Sequence, residues 1–363
     1  MKRIILFFAI GLLVIPLSFA AGGKEKSQVS DEGLSENYYE PDEKYVYERP
    51  EEIVMIWDLI IGAEDNLRPE ARIAHPGLDV ISPTWFCLSG EEGDVSSLAS
   101  REYVEWAHDN NILVWALFEN KSDDWLTFKS LSDWGRRQRI IEQLVRFARE
   151  YNLDGINLNF EAMNRYTGKY YEFFVFELYE KLHPLGITVS VDVPVRIGDL
   201  NRIYDINLIA NNSDYVVILA YDQYDRYSHE DGPTAAIAWV RQGVEEILEI
   251  VAPEKLILGI PFYSIIWRED RSSAERSSEF LGMAEAYEMF SKNPRIWGRD
   301  RDTGQIFAEI EMDHVNYRTW LEDEHSISLK LDVVNDYYLA GLSAWRRGLE
   351  LPEIWDLINA YFR

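Results

Sequence analysis

A single cysteine, Cys87, occurs among the 363 residues, which excludes an intramolecular disulfide and any zinc site built on paired cysteines. Histidine is also scarce. There are six, none in the HxxxH or HExxH spacing that structural or hydrolytic metal sites require, so no metal is expected. Basic residues are outnumbered, 36 Lys and Arg against 63 Asp and Glu, for a formal net charge of −27 at pH 7. No Lys/Arg stripe interrupts that negative field, and no nucleic-acid partner is expected. No apolar run reaches the ~20 residues needed to span a bilayer. What is present, 47% hydrophobic and 27% charged residues, is ordinary for a globular protein and excludes disorder as the main state.

The amino terminus carries its own signal. Lys2 and Arg3 precede an apolar run from Ile4 to Phe19, and Ser18-Phe19-Ala20 fits a small-x-small cleavage site. Residues 1–20 read as a secretory signal peptide. The alternative is an uncleaved membrane anchor, which the short run and Pro16 disfavour. The protein is expected to be exported, to the periplasm, cell envelope or extracellular space, with no stable membrane insertion after cleavage. Residues 21–50 are polar, acidic and without a hydrophobic period, and read as a flexible tether.

From Glu51 onward, short β-branched and aromatic runs alternate with longer helical stretches, the pattern of βα units around a parallel sheet. The strand candidates are 53–61, 78–86, 112–118, 153–161, 186–193, 214–222, 255–263 and 339–345. Between the third and fourth, Ile140, Ile141, Leu144, Val145 and Ala148 recur at helical spacing and predict a core-facing helix. The runs predict an α/β fold, a (β/α)8 TIM barrel over 51–363, read as a monomer. The long gap between the last two runs places a small insertion after strand seven, at approximately 264–335.

Active residues of such barrels gather at the C-terminal ends of the strands. Those ends carry Trp57, Asp58, Trp85, Glu119, Asn159, Glu161, Asp192, Tyr221, Asp222, Tyr263 and Trp345, and no histidine. Carboxylates and flat rings suit a carbohydrate, whose ring faces stack on aromatics while carboxyls bond hydroxyls or move protons. The stretch DGINLNFE (154–161) is the most specific. Strand alternation sends Asn157, Asn159 and Glu161 to one side and Ile156, Leu158 and Phe160 to the other. Polar groups at three successive inward positions are expensive unless they bond one another or meet a ligand.

DGINLNFE resembles the DGxDxDxE strand of glycoside hydrolase family 18, the chitinase and N-acetylglucosaminidase family. The closer resemblance is to the bacterial branch that includes spore-cortex and peptidoglycan-directed enzymes, where the first internal Asp is commonly Asn, as at Asn157. VISPTWF (80–86), DYVVILAYDQY (214–224), LILGIPFYSIIW (256–267), RTWLEDEHSISLKL (318–331) and LAGLSAWRRGLELPEIW (339–355) extend the likeness over residues 53–363. The resemblance implies that Glu161 is the general acid/base, that Tyr221 holds the substrate's acetamido group with Asp222 beside it, and that Trp345 supports the cleaved sugar. It also implies that the insertion is a small α+β unit deepening the cleft. The implied substrate is a polysaccharide containing N-acetylglucosamine, cleaved by substrate-assisted retention without a cofactor. Glu161, Asn159 and Tyr221 are thus the expected catalytic residues, and Asn157, Asp222, Trp345, Trp85, Asp192 and Tyr263 the expected substrate-binding ones.

One position departs from the family pattern. Asn159 stands where the family has an Asp that orients the acetamido N–H and offsets the charge of the oxazolinium. Asn still offers a carbonyl acceptor but brings no charge, and losing one such preorganised group typically costs on the order of 10²–10³ in rate. A weakened hydrolase, a catalytically inactive glycan-binding protein on the same barrel, and a protein-binding scaffold remain the three readings.

Overall fold

Strands covered by helices on one side and by each other's side chains on the other read as nearly unbroken apolar runs, and each of the eight candidate runs overlaps a barrel strand. The computed structural model describes residues 52–68, 72–199, 202–273 and 275–363. The expected signal peptide (1–20) and tether (21–50) lie outside the described residues.

In chain order the first half comprises β1 (Ile53–Asp58), β2 (Val80–Pro83), β3 (Phe86–Gly90), β4 (Asp94–Ser97), α1 (Arg101–Asp109), β5 (Leu113–Glu119), α2 (Asp124–Ser132), α3 (Trp134–Tyr151), β6 (Gly155–Asn159) and α4 (Arg165–Leu182). The second half adds β7 (Thr188–Pro194), α5 (Ile206–Asn211), β8 (Tyr215–Leu219), α6 (Ile237–Ile247), β9 (Leu256–Pro261), β10 (Tyr263–Asp270), β11 (Arg276–Gly282), α7 (Met283–Ser291), β12 (Ile296–Arg299), β13 (Ile306–Met312), β14 (Val315–Leu321), α8 (Glu324–Asp336), β15 (Gly341–Trp345) and α9 (Glu353–Phe362).

The parallel sheet runs β2-β1-β15-β9-β8-β7-β6-β5, and pairing of β2 with β5 (Val80 with Leu113, Ile81 with Val114) closes it into the (β/α)8 barrel. Alternation sorts the side chains. Met55, Trp57, Val80, Trp115, Leu117, Val217 and Ile257 pack inside the barrel, while Val54, Ile56, Ile81, Val114, Ile156 and Leu158 join the larger core beneath the helices. Gly155 opens β6 because its register partner Trp115 fills the interior. A Cβ there would lie 2.6 Å from Trp115 Cδ1, a distance that a packed core does not accommodate. The predicted helix after the third strand is α3. It starts at Asp133, whose carboxylate accepts from Arg136 N, and it buries Ile140, Ile141, Leu144 and Ala148.

Two details differ from the sequence expectation. The second run is not one strand, because it stops at Pro83 and β3 and β4 then form an antiparallel hairpin with Cys87 opposite Ser96. The insertion is an antiparallel sheet, β11-β10-β14-β13-β12, with α7 packed on it, and it spans Tyr263–Leu321 rather than reaching 335. Residues 324–336 are instead the barrel helix α8. Its stripe is obscured in the sequence because two of its buried positions are Ser326 and Lys330, which bond the buried Glu322. Among the described residues no helix is long and apolar enough to cross a membrane.

Candidate active site

Asn157 is fully buried and works as a hub. Its Oδ1 accepts from Trp57 Nε1 at 2.9 Å and from Ser82 Oγ at 3.3 Å. Its Nδ2 donates to Ser190 Oγ at 3.0 Å and Asp192 Oδ1 at 2.7 Å. Four strands are tied together by one amide that uses both its donor and its acceptor capacity. With no exposed surface, Asn157 supports the site rather than binding substrate, contrary to the sequence expectation. Asp192 is 3% exposed. Burial holds its carboxyl well above the usual carboxylate range, the bond from Asn157 pulls it down, and the charge of Glu161 raises it further. It therefore keeps its proton where an ordinary carboxylate has lost it.

Two residues beyond the end of β6, Glu161 is exposed at the barrel mouth. Asn120, at the end of β5 and 1% exposed, clamps its backbone: Glu161 N donates to Asn120 Oδ1 at 3.0 Å, and Asn120 Nδ2 donates to Glu161 O at 2.8 Å. Both carboxyl oxygens are held as well, Oε2 by Ser122 Oγ at 3.2 Å and Oε1 by Asn159 Nδ2 at 3.3 Å. Lys121 and Ser122, which follow Asn120, and Ala162, which follows Glu161, adopt positive φ. Such backbone is costly for residues other than glycine and concentrates at functional sites.

Glu119 is the register partner of Asn159 and so shares its inward side. Burial, then the charge of Glu161, raises its carboxyl above the ordinary value, with Lys121 opposing. Asn120, Ser122 and Glu119 were not among the expected site residues. Their only sequence signal is position at the end of the third strand.

Aromatic rings floor the mouth. Trp57, buried, packs its ring 5.9 Å from Trp345 and 6.3 Å from Tyr221. Tyr263 is almost fully buried and donates its hydroxyl to Asp222, so it reaches the cleft only through that carboxylate. Trp85 is a correction. It is 2% exposed, donates Nε1 to Asn66 Oδ1 at 2.8 Å, and packs against Tyr103 under the helices. It lies beyond the end of β2, in the core beneath the helices together with Phe86 and not in the cleft.

A cavity at the mouth is lined by Asn159, Glu161, Asp192, Tyr204, Tyr221 and Asp222, together with Arg196. It brings together five of the nine expected site residues and adds Arg196 and Tyr204, which follow β7. An accessible carboxyl beside a buried carboxyl, phenols and a carboxamide can move a proton to a bound hydroxyl or ether oxygen. Among the described residues no group of three His, Cys, Asp or Glu is placed to hold a metal ion.

The sequence model of glycosyl hydrolases family 18 matches residues 99–350. The Bacillus subtilis (strain 168) protein named uncharacterized glycosylase YvbX is 22% identical over 296 residues, covering 78% of this chain and 85% of the relative. The cortical fragment-lytic enzyme of the same organism is 22% identical over 310 residues, covering 82% of this chain and 71% of that enzyme. Among solved structures, the Bacillus cereus spore cortex-lytic enzyme SleL superposes with a TM-score of 0.77 at 18% identity, over 87% of this chain and 76% of that one.

Proposed function

Because the chain belongs to the glycosyl hydrolases of family 18, we propose that it is an exported glycoside hydrolase acting on N-acetylglucosamine-containing polysaccharide, of peptidoglycan or chitin type, by substrate-assisted retention. The observation that carries this reading is the Glu161 carboxyl, held through both oxygens by Ser122 and Asn159 and open to the cavity that Tyr221 and Asp192 line. The relative named for lysis of cortical fragments favours the peptidoglycan type.

In this mechanism protonated Glu161 gives its proton to the glycosidic oxygen as the bond from that oxygen to the anomeric carbon breaks. The substrate's own 2-acetamido carbonyl oxygen bonds to the anomeric carbon, forming an oxazolinium. Glu161, now a carboxylate, takes a proton from a water whose oxygen attacks the same carbon and reopens the ring with retention. Asn159 donates its amide hydrogen to Glu161, so its Oδ1 is left to accept the acetamido N–H. Burial raises the pKa of Asp192, which disfavours a negative charge there. Asn159 itself brings no charge to offset the oxazolinium, so the step runs below the rate of a site with a carboxylate at that position.

That same deficit favours a second reading, a glycan-binding protein that keeps the cleft without turnover. The test is incubation of the purified protein with peptidoglycan and with chitin oligomers, measuring reducing ends from pH 4 to 8, with Glu161→Gln as the blank. Release that depends on Glu161 supports the hydrolase, and binding without release replaces it by the binder. If neither occurs, both readings fail.

A further inference from the structure

Among the described residues, Arg196 is the one basic residue that lines the cleft. It continues the inward parity of Ser190, Asp192 and Pro194 beyond the end of β7 and is half-buried. Among the described residues its guanidinium makes no hydrogen bond or ion pair, although the chain has 63 acidic side chains to offer and elsewhere on the barrel Arg68, Arg137, Arg347 and Arg363 are all paired with carboxylates. Its charge is felt inside the cavity, where it opposes the upward shift that burial imposes on the Tyr204 phenol. Arginine presents a planar guanidinium cation with several N–H donors. Left unpaired in a cavity, it favours an arriving anion whose geometry fits its planar fork.

We propose that Arg196 binds a carboxylate carried by the saccharide in the cleft. The site then favours an acidic amino-sugar polymer, such as a strand with lactyl carboxylates, over uncharged chitin. The proposal rests on the glycosidase reading above and deepens it. One guanidinium balances one negative charge. Among the described residues no second cation lines the cavity, and Glu161 and Asp222 in its walls repel further charge, so a singly charged carboxylate fits where a doubly charged phosphate does not.

The test compares four probes: N-acetylglucosamine oligomers, peptide-free glycan strands with free lactyl carboxylates, the same strands with those carboxylates amidated, and strands that carry stem peptides. Cleavage is measured with the full chain, and binding with its Glu161→Gln variant. The expected result is a preference for free-carboxylate over amidated strands of about ten- to a hundredfold, the range set by a hydrogen-bonded charged pair. Arg196→Gln brings that ratio close to one, and Arg196→Lys keeps part of it. A preference shown only by peptide-bearing strands moves the recognised carboxylate from the lactyl group to the stem while keeping Arg196 as its binder, provided Arg196→Gln removes it. A ratio near one in the unaltered protein, or a ratio that Arg196→Gln leaves unchanged, overturns the assignment. Failure to bind or cleave any of the four overturns the glycosidase reading itself, and the two failures are thereby told apart.

Discussion

Asn157 donates its amide hydrogen to Asp192 at 2.7 Å inside the barrel, and through that bond β6 and β7 share one polar layer just beneath the cleft. The same amide accepts from Trp57 Nε1, whose ring carries Trp345 and Tyr221. Asn157→Ala strips partners from several buried polar groups at once, which costs about 2–4 kcal/mol of stability. Urea denaturation is expected to show a lower midpoint with an unchanged slope.

Asn159→Asp restores a carboxylate two residues before Glu161. Turnover of an N-acetylglucosamine oligomer is expected to rise by on the order of 10- to 10³-fold in kcat, with KM changing by less than about threefold. Steady-state kinetics of the two proteins side by side make the comparison. An unchanged kcat means that charge at this position does not limit the reaction.

Asp192→Asn isolates the buried acid. In the unfolded chain Asp192 ionises near the ordinary value of about 3.9, but burial holds it protonated to higher pH when folded. The contribution is whole below about pH 4 and is lost as the pH rises toward the folded value. Replacing the acid by its uncharged isostere removes that loss. The variant is expected to match the parent near pH 4 and to exceed it in stability at pH 7, as read by thermal unfolding at both pH values.

Lys330 and Glu322 form an ion pair with both side chains at 0% exposure, Nζ lying 2.9 Å from Oε2. Lys330→Met leaves Glu322 buried with only Gln305 and Ser326 as partners. The expected cost is about 3–5 kcal/mol. Adding Glu322→Gln to it should recover much of the loss, and denaturation of both variants measures the recovery.

Most of the barrel strands were legible because they are buried on both faces and spell apolar runs, while β6 and β7 alternate apolar with polar residues. The polar inward series of β6 was legible from a period of two. The β3–β4 hairpin was not, since FCLSG continues the apolar text of β2 beyond Pro83 and only the backbone reveals the break. Trp85 was misplaced by its nearness to a strand end, because the chain leaves the strand at Pro83 and Trp85 turns under the helices. The end of the insertion was hidden by Ser326 and Lys330, polar residues standing at core positions of α8. Asn120 and Arg196 escaped notice for a different reason: a clamp on a neighbouring backbone and an unpaired charge exist only once distant strands are side by side.

The insertion enters at Tyr263 and leaves at Leu321, and its first and last strands are direct neighbours, Trp267 lying opposite Arg318. Thr319 bonds back to Ile265 O and Glu322 N to Ser264 Oγ, so the polypeptide departs and returns through one doorway. A unit attached in this way behaves as an interchangeable cassette. Its length and far edge can drift at little entropic cost to barrel closure, while Tyr263 on its threshold stays wired to Asp222. The cassette can thus be remodelled without rewriting the barrel strands that carry the chemistry.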